Sequence, residues 1–102
     1  MTLGEKRRKF THMLAMLILH AEDEGFGVAV DFVKRCEDCR VGHRNSTHKK
    51  GLAADLHLYR DGVYLDSGEE HKTLHDFWDS MGGSARIDHD LNHYSLEDGG
   101  VR

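Results

Sequence analysis

The sequence predicts a small α+β domain, with an N-terminal helix and a second helix in the C-terminal half packed on a small antiparallel sheet. Three observations carry that reading. Apolar residues recur at helical spacing in two segments, one near the N-terminus and one over residues 69–81. Other short stretches alternate apolar and polar residues, the period of a strand buried on one face. Asp61-Gly62 joins two of those stretches and is a strong two-residue hairpin signal. The order helix, strand, loop, hairpin, helix, strand fits an antiparallel sheet with helices to one side.

The elements follow in turn. Thr2 and Glu5 form a T-x-x-E capping box, which opens a helix. Phe10, Met13, Leu14, Leu17, Ile18 and Ala21 then make one apolar stripe that ends near Gly25. Residues 28–33 are rich in β-branched side chains and read as a strand. Residues 36–50 hold both cysteines, many charges, Gly42, Asn45 and Ser46, and read as an irregular loop. From Ala53 the chain alternates. Ala54, Leu56 and Leu58 point one way, and Asp55, His57 and Tyr59 point the other. Past the Asp61-Gly62 turn, Val63, Tyr64 and Leu65 form the return strand. Residues 69–81 read as a helix with Leu74, Phe77, Trp78 and Met81 buried and Gly82-Gly83 as its stop. Residues 93–97 are the last strand, with Tyr94 and Leu96 alternating with His93, Ser95 and Glu97.

The whole chain, residues 1–102, is expected to be one domain without internal repeats. Its 38% apolar and 31% charged residues are those of a globular protein rather than a disordered one. Proline is absent, so glycine makes the turns. The net charge of -4 is uneven. Residues 1–50 carry ten Lys/Arg against seven Asp/Glu, and residues 51–102 carry four against eleven. The basic runs Lys6-Arg7-Arg8-Lys9 and Lys49-Lys50 are short, and they read as solvated faces rather than a nucleic-acid surface. No apolar stretch approaches the ~20 residues that span a bilayer. The run of residues 13–19 after the basic cluster is flanked by His12 and His20 and has helical spacing, so it reads as a mature helix rather than a signal peptide.

The chemistry concentrates in two places. In Ser46-x-His48-x-x-Gly51-x-Ala53-x-Asp55, a loop histidine precedes by seven residues an aspartate on the polar face of a strand. Imidazole and carboxylate are ordinary Zn²⁺ ligands, and Gly51 and Ala53 leave room for the chain to turn between them. In Asp90-Leu91-Asn92-His93, the histidine opens another alternating strand. Asp55 and His93 would share one face if those strands pair. His48, Asp55 and His93 would then leave a fourth tetrahedral position for water, as catalytic zinc requires. Asp90 could take a proton from that water and pass it to a leaving amine. With nine histidines in the chain such spacings also arise by chance, so spacing alone leaves satisfied surface histidines as the alternative.

Those residues resemble a known family. The first segment matches the S-x-H-x-x-G-x-A-x-D motif of the D-alanyl-D-alanine carboxypeptidase-type zinc metallopeptidases, which include many phage endolysins and share the zinc-domain fold of hedgehog proteins. Asp90 and His93 match the second motif, an acid three residues before a histidine. Further likeness to small phage members runs through the N-terminal Thr2 to Lys6, Arg60-Asp61-Gly62, Phe77-Trp78 and Gly82-Gly83. The resemblance implies a hedgehog-like fold, bound Zn²⁺, and hydrolysis of the stem peptide of bacterial peptidoglycan. It favours a phage endolysin that cuts between L-alanine and D-glutamate, with a D-alanyl-D-alanine carboxypeptidase as the nearest rival. It also implies that Arg35 steadies the oxyanion or a substrate carboxylate. The chain departs from the family just after that arginine, where Cys36-Glu37-Asp38-Cys39 replaces a T-P-E-Q-like stretch.

Ser46 is expected to hydrogen-bond within the metal loop, and His57 to support the ligands from the same strand face. Cys36, Cys39 and His43 fit no zinc-finger spacing, and read as reduced, idle cysteines rather than as a second zinc site or a redox pair. The expected protein is a monomer without membrane insertion. It would be made in the host cytoplasm and act on the cell wall after release by outside help such as a holin. Two other classes remain as rivals: a non-catalytic zinc-binding interaction module, and a small nucleic-acid binder, which the acidic second half disfavours.

Overall fold

A computed structural model describes residues 1–31, 51–87 and 90–98. Helix α1, Leu3–Asp23, begins on the expected capping box. The Thr2 N–H donates to Glu5 Oε1 at 3.0 Å, and the Glu5 N–H donates to Thr2 Oγ1 at 3.1 Å. Its buried face is Phe10, Met13, Leu14, Leu17 and Ala21. The helix stops where Gly25 takes φ +94, with the Phe26 N–H bonded to Ala21 C=O and the Gly25 N–H to Glu22 C=O, each at 3.0 Å. That pair of bonds is a Schellman close.

Strand β1, Gly27–Asp31, pairs antiparallel with β2, Ala53–Arg60. The part of the expected first strand beyond Asp31 lies outside the described residues. Asp61 and Gly62 both take positive φ, 53 and 78, as a two-residue hairpin requires. They lead into β3, Val63–Tyr64, which pairs with the end of β2. Leu65, expected in the strand, falls just past it, although its N–H still donates to Leu58 C=O at 2.9 Å. Strand β4, His93–Ser95, pairs antiparallel with the start of β2, on the same edge as β3. The described residues thus form a four-stranded sheet with β2 at its centre.

Helix α2, Glu70–Ser80, buries Leu74 and Trp78 as expected, but its buried face also holds His71 and His75. Positions 71, 74, 75 and 78 lie along one helical stripe, and that stripe faces Tyr94. Phe77 and Met81, expected in the core, are only half-buried; Phe77 instead stacks on the His20 ring at 4.1 Å. One apolar cluster joins α1, α2, Ala54, Leu56 and Leu58 of β2, and Tyr94 of β4. This α+β arrangement is the fold class the pattern predicts. Among the described residues, no helix is long and apolar enough to cross a membrane.

Trp78 locks α2 to β4. Its indole N–H donates to Ser95 C=O at 2.9 Å, and its ring meets Phe10 and Tyr94 edge to face. The chain passes so close beneath the indole that a Cβ at Gly83 would collide with Nε1 and Cδ1. Gly83→Ala is therefore expected to cost about 2–3 kcal/mol, combining overpacking with a strained Trp78–Ser95 bond. A urea melt checks this, and a loss below about 0.5 kcal/mol would show that the indole shifts freely.

Candidate metal centre

The site is built by strand register. Asp55 on β2 stands opposite Asp31 of β1 on one side and opposite His93 of β4 on the other. Directly opposed residues project from the same face of a sheet. The N–H of Leu56 donates to Asn92 C=O, and that of Leu96 to Leu52 C=O, each at 2.9 Å. Those bonds make 56/92 and 52/96 the hydrogen-bonded pairs. By alternation, 55/93 is a non-hydrogen-bonded pair, the kind whose side chains come closest. His93 Nδ1 accordingly lies 3.5 Å from Asp55 Oδ1.

Asp90 joins them through a turn. Its C=O accepts from the His93 N–H at 3.1 Å, closing the four-residue turn of residues 90–93, and its N–H donates to Ile87 C=O at 2.8 Å. One ligand atom from each of Asp55, Asp90 and His93 lies within 4.8 Å of the others. His93 is buried, and the two aspartates are half-buried. The group therefore offers carboxylate oxygens and an imidazole nitrogen to one small region.

The donor set passes a simple test of fit. Two ligands about 2.0–2.2 Å from one zinc ion at the tetrahedral angle stand about 3.4 Å apart. The Asp55–His93 separation of 3.5 Å matches that value. It is longer than the about 2.7–3.2 Å of an ordinary N–H···O bond. Carboxylate and imidazole together suit a divalent cation.

Of the site residues expected from sequence, the fold brings together Asp55, Asp90 and His93. His48, Arg35 and Ser46 lie outside the described residues, as do Cys36, Cys39 and His43. His57 is on the same sheet face, two positions along β2, but its neighbours are Tyr64, with Oη 3.5 Å from Nδ1, and Asp31, with Oδ2 3.9 Å from Nε2. Ser95, expected to alternate onto the His93 side of its strand, is buried, and its carbonyl accepts from both the Trp78 indole and the Ser84 N–H.

The sequence reading assigned no role to His71 and His75, yet both brace the segment that carries the site. His75 Nε2–H donates to Leu91 C=O at 2.8 Å, inside the 90–93 turn, and its ring stacks on Tyr94 at 4.2 Å. His71 Nδ1 lies 2.7 Å from the Tyr94 hydroxyl. Burial holds both imidazoles neutral, pushing His71 down from 6.5 to about 4 and lowering His75 as well. Burial likewise raises the Tyr94 hydroxyl. The signal was present in the i, i+4 spacing of 71 and 75 along the Leu74–Trp78 stripe.

A cavity of about 300 Å³ adjoins the site, lined by residues 64–68, His71 and residues 90–92. Asp90 belongs to both the cavity wall and the carboxylate–imidazole group. The arrangement can therefore hold a cation at one edge of a cleft and keep a proton acceptor beside it. Comparison of the chain with protein-family models, with curated proteins and with solved structures gives no match.

Proposed function

We propose that the chain is a zinc-dependent peptidase of the D-alanyl-D-alanine carboxypeptidase type, with the hedgehog-like fold of that type, and that it cuts the stem peptide of bacterial peptidoglycan. The observation that carries the reading is the 3.5 Å approach of Asp55 and His93, with Asp90 beside them in the wall of a cleft. The motif resemblance around His48, Asp55, Asp90 and His93 supplies the reaction class. The phage likeness favours an endolysin acting between L-alanine and D-glutamate.

Asp55 and His93 hold the ion from adjacent strands, and His48 completes the set. Zinc bound there supplies Lewis acidity, which polarises a peptide carbonyl and acidifies a nearby water. Asp90 accepts the proton of the attacking water and returns it to the leaving amine. Its place in the cavity wall suits a group that must reach both. Arg35 steadies the oxygen that gains charge. The fixed register of β2 and β4 keeps Asp55 and His93 preorganised, so little side-chain entropy is lost when the ion binds.

The test is hydrolysis of purified peptidoglycan by protein stripped with a chelator and then restored with Zn²⁺. Stripping is expected to remove activity, and about one equivalent of Zn²⁺ to restore it. Mass spectrometry of the released ends then identifies the bond. Undiminished cleavage in excess chelator would refute the metal mechanism. Tight zinc binding without cleavage would leave a non-catalytic module instead.

A further inference from the structure

The cleft beside Asp90 contains a donor that the proposed reaction does not use. His71 sits in the first turn of α2, 3% exposed, and is one of the residues that line the cavity. Its Nδ1 meets the hydroxyl of the fully buried Tyr94 at 2.7 Å. That pair can place its protons in two ways. If Nδ1–H donated, the Tyr94 O–H would be left in the core with no acceptor among the described residues, a buried donor without compensation. If Tyr94 donates, its one proton is used, Nδ1 accepts, and the ring proton resides on Nε2. The second arrangement is favoured. Burial also keeps the ring neutral at pH 7, since its pKa lies at about 4.

With Nδ1 engaged, Nε2–H is the remaining polar end of His71, a residue of the cavity wall. The ionisable carboxylates of the same wall are Asp66 and Asp90. They repel an anion, and a neutral imidazole does not offset that repulsion. An uncharged acceptor suits such a wall best. Resting on the peptidase reading, the geometry points to His71 as a substrate-contacting residue whose Nε2–H donates to an amide carbonyl oxygen of a peptide lying in the cleft. Tyr94 fixes the tautomer in advance, so the donor needs no reorganisation when the peptide arrives.

The first test does not depend on turnover. In the zinc-loaded protein at pH 7, ¹⁵N-resolved spectra of the histidine rings should show His71 as the Nε2–H tautomer, and its Nε2 resonance should shift on adding a synthetic stem peptide. An Nδ1–H tautomer overturns the inference. So does an Nε2 resonance that stays fixed while the amides of Ser67 and Asn92 move. The second test compares His71→Asn with His71→Gln. Asparagine can still accept from Tyr94 but has no donor at the Nε2 position; glutamine reaches that position with its amide N–H. His71→Asn should lower kcat/KM about a hundredfold with bound zinc unchanged, and His71→Gln should recover most of it. Equal losses in both variants, or no loss in His71→Asn, would overturn the assignment. A wild type that binds zinc and cuts nothing sinks the peptidase reading alone, and the tautomer and peptide-shift measurements then decide the role of His71.

Discussion

Asp90→Ala is expected to lower turnover on peptidoglycan by about 10³-fold, within the range for losing a general acid–base, while bound zinc stays near one equivalent. The turn that carries residue 90 is held by main-chain groups, the N–H to Ile87 and the C=O from His93, and alanine keeps both. Asp55 and His93 remain opposed across β2 and β4, so the cation keeps its anchors. Asp90→Asn keeps the shape and removes the base, and should be as inactive as alanine. Asp55→Ala is the contrasting case, because it takes away an anchor and should lose zinc and activity together. Zinc content and peptide release, measured on the same samples, separate the roles. Loss of zinc in Asp90→Ala would make Asp90 a ligand and remove the base from the mechanism.

What was legible in the sequence was local. The Thr2–Glu5 box, the Gly25 stop and the Asp61-Gly62 hairpin are each specified by residues a few positions apart, and each forms as read. The sharing of one sheet face by Asp55 and His93 was legible from alternation. Their direct opposition was not, because register depends on pairing between strands 38 residues apart in the chain. The burial of His71 and His75 was hidden for a similar reason. An imidazole is tolerated in a core only when partners satisfy it, and here the partners are Tyr94 and Leu91, 23 and 16 residues away. The helix period gave the stripe, but nothing local showed that imidazoles at those two positions would be satisfied in the core. Tertiary hydrogen bonds decided otherwise, and they link the packing of α2 directly to the turn that presents Asp90 and His93.

That link has a consequence in acid. The metal-free protein is expected to lose about 3 kcal/mol of stability between neutral pH and about pH 4, from His71 alone. Burial, with a smaller push from His75, holds the folded His71 at about 4, against its ordinary 6.5. Between those values the unfolded chain binds a proton that the folded protein refuses. Stability is therefore fully present above 6.5 and falls as the pH drops toward 4. His75, also lowered by burial, acts in the same direction; its Nδ1 is buried without a hydrogen-bond partner among the described residues, so a proton there would be stranded. Glu5 and Glu69, whose carboxyls are lowered by their Thr2 and Lys72 partners, are fully exposed and are the same in the wild type and in His71→Asn, so they cancel in the comparison of the two proteins. Urea midpoints in chelator at pH 7 and pH 4.5 measure the effect without interference from metal release. His71→Asn cannot take the proton and still accepts from Tyr94, so its pH dependence should be flatter than that of the wild type. Identical slopes in the two proteins would mean that His71 titrates freely and that its burial against Tyr94 carries no such penalty.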